Sequence, residues 1–507
     1  MKTYHTIKTL ALGGIAMFSL ASCSLDYEPL SEPSEITQGG QTETSTAVLK
    51  DKAAADAQLK SLYELFRNRQ EHTHLDYLLI GDSHSDNAYA GTTGAEVVPY
   101  ETNSIDASNS VLSRDWNRYL EDIAQANVLI NGVEQLKENG QISEAEYHSY
   151  KAQGEIFRAL MMFRMARLWG SFPVITTIAK TITSDNINEV YPTYYPPRKT
   201  PKECYEQIIA DLTDAEQYAP DNDNSDRTKM TKTVAQAMLA KVYAEKEVQD
   251  YDKVIAYADK VMNTTGVELE DSYETLWGYD ETAIDCMKRN TKEGILEVHW
   301  SGGGNWETWM YGRQLDNWDY YFTWAKWITP SRDIINDFDK EGDEVRKNQA
   351  IVYYACTWSN YYPASNYPFM YKLRSSYNNI YWVRLADIIL MKAEAEAYKG
   401  NLAESAKLVN QIRKRAKLKE LTSDKTGSKE SMIEAVLHER RLELAFEGER
   451  WFDLCRNNKV EQYLNGIDNR DSGRIRQVKQ FDSNSYLLPI PQTALDQNTN
   501  LEQNPGY

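Results

Sequence analysis

Seven of the twelve tryptophans, Trp277, Trp300, Trp306, Trp309, Trp318, Trp324 and Trp327, fall within 51 residues of one another. Tyr311, Tyr320, Tyr321 and Phe322 lie among them, interleaved with Asn305, Glu307, Arg313, Gln314, Asp316, Asn317 and Asp319. Flat rings flanked by amides, carboxylates and a guanidinium suit one kind of ligand well. A sugar offers an apolar face of C–H bonds and a rim of hydroxyls, which planar polar side chains read by paired hydrogen bonds. Each ring contact contributes on the order of 1 kcal/mol beyond its area. An arc of several therefore gives micromolar to millimolar binding and needs no nucleophile. Gly302, Gly303 and Gly304 let the backbone come close to a ligand. Trp306, Trp309 and Tyr311 are the first ligand-binding candidates, followed by Trp318, Tyr320 and Trp324. The alternative is that the rings fill the core of a loop-rich region.

A second candidate is the polar run from Gly81 to Tyr89, followed by Gly91 and Gly94. It reads as a capped turn or ligand loop, with Asp86, Asn87 and Tyr89 as its contacts. His72, His74, Asp82, His84 and Asp86 are also metal-ligand types. Histidines two apart suit a strand, however, and the segment has no strand pattern, so no metal is expected. His438-Glu439 begins a zinc-protease motif that fails at Leu442, where the second histidine belongs. There is no GxSxG, P-loop or GxGxxG after a strand, and nothing singles out a catalytic pair among 75 acids. The expectation is a binding protein with no cofactor and no catalytic residue.

These groups must be positioned by helices. Apolar periodicity predicts them near 47–70, 111–138, 143–169, 200–218, 231–248, 251–263, 383–399, 402–417, 430–446 and 449–460. The stretch Leu239 to Ala258 echoes Glu394 to Val409. Each is a helix with small residues and a Tyr near its end, a polar turn and a second amphipathic helix, which is the pattern of a tetratricopeptide pair. Residues 72–110 and 264–380 are left as irregular, ligand-bearing regions, with one short strand at 295–300. The fold class is therefore mostly α: a tetratricopeptide-like helical-pair scaffold, a loop-rich ligand region and few short strands. Between Glu439 and Arg456, Arg440, Arg441, Glu443, Glu447, Glu449, Arg450 and Asp453 are too many charges to be buried singly, so they read as an ion-pair network between packed helices.

The first residues suggest a compartment. Lys2 and Lys8 precede a short apolar run from Leu10 to Leu20, below the roughly 20 residues needed to span a bilayer. Leu20-Ala21-Ser22-Cys23 resembles a bacterial lipobox, which makes Cys23 the lipidated residue. The expected divisions are a signal peptide at 1–22, a Pro- and Gly-containing tether at 23–46, and one domain at 47–507. Removing 1–22 moves the net charge from −19 to −21, which argues against nucleic acid or anionic lipid as ligand. It also disfavours polyanionic glycans unless a local basic patch overrides the total. Cys204, Cys286, Cys356 and Cys455 show neither CxxC nor metal spacing and are expected to be mostly buried free thiols.

Five separated segments resemble the SusD/RagB family of outer-membrane nutrient-binding lipoproteins. They are the lipobox; Arg158-Ala159-Leu160 through Ile175, with Met162 and Trp169 in place of the usual tyrosines; Tyr381 to Asp387 with Ala393-Glu394-Ala395; Glu439 to Arg456; and Leu488-Pro489-Ile490-Pro491 with the ending Gln503-Asn504-Pro505-Gly506-Tyr507. The resemblance implies a helical-repeat scaffold under a loop-built ligand site. It also implies lipid anchoring at the outer membrane through the acyl chains on Cys23, facing the cell exterior. Its implied partner is a SusC-like TonB-dependent transporter that receives a captured glycan. The RagB branch implies a peptide ligand instead, and a transporter scaffold that binds nothing is a third reading.

Overall fold

The computed structural model describes residues 49–91, 94–300, 327–375 and 377–507. The signal segment, Cys23 and the tether up to residue 46 fall outside these residues, as do Trp306, Trp309, Tyr311, Trp318, Tyr320 and Trp324.

The N-terminal half is a run of helices packed each against the next. Helix α1 (Lys52–Asn68) is capped by Asp51, whose carboxylate accepts from the Ala54 amide at 2.9 Å. It lies on α2 (Ser110–Glu138), which pairs with α3 (Glu144–Trp169). Ser143 and Glu146 close a capping box at the start of α3, and Thr200 and Glu203 do the same for α4 (Pro201–Tyr218). Every residue of α3 from Ala152 to Trp169 is buried, so this helix is enclosed on all sides rather than amphipathic. Its arginines are answered inside: Arg158 forks onto Asp211 at 2.7 and 2.8 Å, and Arg167 reaches Glu245 and Glu449.

Helices α5 (Lys232–Val242) and α6 (Tyr251–Met262) follow. After the irregular region come α7 (Arg332–Glu341), α8 (Glu344–Ala350), α9 (Leu385–Lys399), α10 (Leu402–Arg415), α11 (Lys429–Glu443) and α12 (Arg450–Arg456). The two echoing sequence units are α5/α6 and α9/α10, and α6 packs directly on α9. Tyr251 stacks on Tyr398 across that junction with centroids 4.8 Å apart. The tetratricopeptide-like arrangement expected from the repeat is thus the one observed, and its core runs from Leu49 to Ala494.

Strands are short. Among the described residues they form two-stranded antiparallel pairs: β1 (Ala88–Tyr89) with β5 (Thr329–Pro330), β2 (Tyr279–Asp280) with β3 (Asp285–Cys286), β4 (Gly294–His299) with β8 (Asn379–Arg384), and β6 (Ile351–Tyr354) with β7 (Tyr367–Met370). Register in the β4–β8 pair runs from Gly294 opposite Arg384 to His299 opposite Asn379, with a bulge near Leu296. Only β4 is expected from the sequence; the two- to four-residue strands carry too little alternation to read, and the six-residue β8 is buried along its whole length, so it has no polar face to alternate with. Cys204 is buried, but Cys286, Cys356 and Cys455 are half-buried, which corrects the expectation of mostly buried thiols. Cys286 lies in β3, Cys356 two residues after β6, and Cys455 next to the last residue of α12.

The charges between Glu439 and Arg456 form the expected network, and all are enclosed except Glu447, which is half-buried. Glu443 and Glu293 alternate with Arg384 and Arg415 in a square of ion pairs, and Arg346 joins Glu443 to Glu439. Arg440 spans Asp387 and Asp453 at 2.9 and 2.8 Å. Burial raises the Glu443 carboxyl, but Arg415, Arg384 and Arg346 outweigh it and hold the group well below the usual range. On the network's half-exposed edge, bonds from His438 and Arg413 take Glu341 down to about 2. Burial pushes Asp82 the other way, up to about 7 from 3.8.

The signs oppose. Carboxyls with depressed folded values lend stability that is full above about pH 4.5 and lost as pH falls through the folded values. Asp82, raised on folding, lends stability at low pH that is lost as pH rises from 3.8 to about 7. Thermal midpoints measured across pH are therefore expected to peak at about pH 5 and fall on both sides. A midpoint that keeps rising from pH 5 to pH 8 would contradict the Asp82 contribution.

Candidate functional site

Tyr89 anchors the surface where the two irregular regions meet. β1 pairs with β5, which begins two residues after Trp327, the point where the chain re-enters the described structure. The Tyr89 ring stacks on Tyr361 with centroids 4.3 Å apart and planes at 18°, and Tyr362 lies 6.0 Å away. The rings continue through Tyr362 to Tyr367 at 5.7 Å and from Tyr367 to Trp358 at 5.7 Å. Tyr89 and Tyr367 are buried, whereas Trp358, Tyr361 and Tyr362 are half-exposed and Asn360 is exposed.

Hydrogen bonds fix these rings from behind. Tyr361 donates to Glu101 at 2.7 Å, and Tyr362 donates to the Pro330 carbonyl at 2.8 Å. Asn360 donates to the Gly91 carbonyl at 2.9 Å, tying the later region to the earlier loop. The Arg332 guanidinium covers the Tyr362 ring at 4.2 Å. Glu101 also accepts from the Ala90 and Ile475 amides, and burial pushes its carboxyl up. The result is an aromatic ledge edged by an amide and a guanidinium, with its tyrosine hydroxyls already committed to the protein. Such a surface supplies ring faces for stacking.

Asp86 and Asn87 are placed differently from the reading as ligand contacts. Asp86 is fully buried, with Arg450 on one face at 2.8 Å and Arg441 on the other at 3.4 Å. Burial raises its carboxyl, and Arg441 and Arg450 override that and hold it far below the usual range. Asn87 is buried too, donating to Asp82 at 2.8 Å and accepting from Arg441 at 3.0 Å. Their polar capacity is spent inside, because two arginines inserted from α11 and α12 need acceptors there. Of the three loop candidates, Tyr89 alone belongs to the aromatic ledge, as its buried inner layer. His72 pairs with Asp122 at 2.8 Å, His84 Nδ1 lies 2.6 Å from the Tyr100 carbonyl, and His74 packs edge-on against Trp300. These contacts use the histidines singly.

The candidates Trp306, Trp309, Tyr311, Trp318, Tyr320 and Trp324 lie outside the described residues, between Trp300 and Trp327. Trp358, Asn360, Tyr361 and Tyr362 were not singled out from the sequence. The signal was there: Tyr353, Tyr354, Trp358, Tyr361, Tyr362 and Tyr367 fall within fifteen residues of the second irregular region.

Residues 292–507 match a family model described as "SusD family", and residues 41–244 match one described as "Starch-binding associating with outer membrane". The chain belongs to the SusD-like family. SusD-like protein P2 of Formosa agariphila is 27% identical over 441 residues, covering 79% of this chain and 81% of that one. A crystal structure of a SusD superfamily protein from Bacteroides vulgatus superposes with a TM-score of 0.72 at 21% identity, over 91% of this chain and 100% of that one. A structure described as a laminarin binding SusD-like protein gives 0.69 at 23% identity, over 90% and 100%. These likenesses establish the shared tetratricopeptide-like helical fold. In this SusD-like chain the Glu439–Arg456 motif lies in the interior, where it clamps the early loop to α11 and α12; it forms no part of the aromatic ledge.

Proposed function

We propose that this SusD-like protein is a cell-surface glycan-binding lipoprotein. It captures an oligo- or polysaccharide by stacking and delivers it, chemically unchanged, to a SusC-like TonB-dependent transporter of the outer membrane. The observation that carries the reading is the half-exposed ledge of Trp358, Tyr361 and Tyr362, whose two tyrosines are held from behind beside Asn360. Rings fixed before binding lose little entropy when a sugar face settles on them. The description of one family match as starch-binding, and of one structural neighbour as laminarin binding, supports the same ligand class. Trp306, Trp309, Tyr311, Trp318, Tyr320 and Trp324 are proposed to extend the ledge into a longer arc. Cys23 is proposed as the lipidated anchor, with residues 24–46 as the tether on the outer face. Among the described residues no helix is long and apolar enough to cross a membrane.

Affinity gel electrophoresis of the soluble chain from Ser24, against a panel of neutral and charged polysaccharides, tests this. Retardation by at least one glycan is expected. Trp358→Ala is expected to weaken it about tenfold while leaving the thermal midpoint near that of the parent, since one half-exposed ring is lost. Trp306→Ala with Trp309→Ala tests the extended arc in the same gels. No retardation by any glycan sinks the proposal and moves the weight to peptide capture.

A further inference from the structure

A second cleft, of about 660 Å³, lies away from the aromatic ledge, between α1, the 226–229 turn and the outer end of β4. That volume is in the range of small-ligand sites, roughly 300–1,000 Å³. Phe66, Tyr63 and Val298 give it an apolar wall. The Tyr63 hydroxyl is already spent, donating to Gln153 at 2.7 Å and accepting from the Met230 amide at 3.0 Å.

Lys60, Arg67, Lys229 and Arg289 balance Glu64, Asp226, Asp285 and Glu297 in number on the wall, but they do not all pair. Each of its carboxylates is answered within the protein. Glu64 faces Lys60 at 3.7 Å, Asp226 faces Lys229 at 3.7 Å, and Asp285 pairs with Arg289 at 2.7 Å. Glu297 is fully buried and accepts from the Asn290 and Thr291 amides at 2.8 and 2.9 Å, with His299 Nε2 also 2.9 Å away. Arg67, exposed in the last turn of α1, has no acceptor for its guanidinium among the described residues. The helix dipole explains why a basic side chain is tolerated there. It does not explain why a cleft whose every acid is paired keeps one guanidinium fork open.

We infer that this cleft is a second saccharide subsite that takes a sugar residue bearing a carboxylate, with Arg67 forking onto that carboxylate and the Phe66–Val298 wall meeting the C–H face. The inference rests on the glycan reading above. The geometry of a planar guanidinium matches a carboxylate's two oxygens. The chain's overall negative charge, −19 for the full sequence, opposes a densely charged polyanion. The ligand class is therefore a saccharide with a single or sparse uronic-acid residue.

The test is calorimetric titration of the soluble chain from Ser24 with two singly charged trisaccharides, one ending in glucuronate and one in galacturonate. Each is compared with its counterpart in which the carboxyl is reduced to an alcohol. At least one acid form is expected to bind about tenfold more tightly than its reduced counterpart, as a charge-assisted hydrogen bond supplies, and the advantage is expected to shrink as salt is raised. Arg67→Gln is expected to remove the advantage and Arg67→Lys to keep part of it. Trp358→Ala is expected to leave it intact, because that ring belongs to the other surface. Equal binding of acid and reduced forms, no binding of either acid, or an advantage that survives Arg67→Gln overturns the inference. A thermal midpoint for Arg67→Gln close to the parent's shows that the loss is not one of folding. If none of the neutral polysaccharides in that panel is retarded while the Arg67-dependent preference is retained, the aromatic ledge is removed and this cleft is left standing.

Discussion

Glu443→Gln is expected to destabilise the protein by about 3–5 kcal/mol, read as a lowered urea midpoint with an unchanged slope. Glu443 is fully buried, and its carboxylate serves Arg384 at 2.6 Å, Arg346 at 3.2 Å and Arg415. An amide of the same shape turns one acceptor into a donor aimed at a guanidinium. It also removes the negative charge shared by three cations that cannot lose their protons. The cost is that of uncompensated buried charge rather than of lost attraction, and this has its own signature. Arg415→Gln added to Glu443→Gln removes one of the stranded cations and is expected to recover part of the loss. A single substitution costing under about 1 kcal/mol would place the pair among ordinary surface bridges and contradict the enclosed geometry. Additive losses in the double variant would contradict the charge-balance account.

What was legible in the chain and what was not divides along one physical line. Helix positions were readable because 3.6-residue periodicity is local: the segments predicted near 111–138, 200–218 and 402–417 form at Ser110–Glu138, Pro201–Tyr218 and Leu402–Arg415. The helix predicted over 231–248 ends earlier, at Val242, and passes into a short 3₁₀ turn at Lys246–Val248 before Asp250 caps the next helix. The ion-pair reading of Glu439–Arg456 was also local, since charge density among apolar residues demands partners. Which partners they would be was not local. Arg450 pairs with Asp86, 364 positions away, and no spacing rule reaches that far. Polar residues in a glycine-bearing run look the same in sequence whether they face a ligand or a buried arginine. Asp86 and Asn87 were therefore placed at a binding surface and are found in the interior, while Tyr89, chosen for the same reason, lies beneath one. The ledge itself was missed because Trp358, Tyr361 and Tyr362 sit in an irregular turn between β6 and β7, where no period marks which rings face out.

The close crossing of two backbones at Gly81 and Gly448 makes the other large prediction. A Cβ on Gly81 would lie 2.2 Å from the Gly448 carbonyl oxygen and 2.4 Å from its Cα, both main-chain atoms that cannot rotate aside. The wide π-helical turn Leu79–Ser83 brings Gly81 to this point, and the left-handed backbone at Gly448, φ 78°, bends the chain toward it. The approach matters because it seats the next residue. Asp82 accepts from the Gly448 amide at 2.9 Å and the Phe446 amide at 3.2 Å, which holds Asp86 within reach of Arg441 and Arg450. Gly81→Ala is expected to lose at least about 3 kcal/mol, the scale of severe core overpacking, and to release the early loop from α11 and α12. Gly448→Ala is expected to cost less. Its added Cβ meets the Tyr77 ring at 3.0 Å, and a ring can shift, so the main cost is the left-handed conformation at about 1–2 kcal/mol. Chemical denaturation of the two variants side by side decides the matter. If Gly448→Ala proves the more damaging, backbone conformation rather than the close crossing holds the early loop in place.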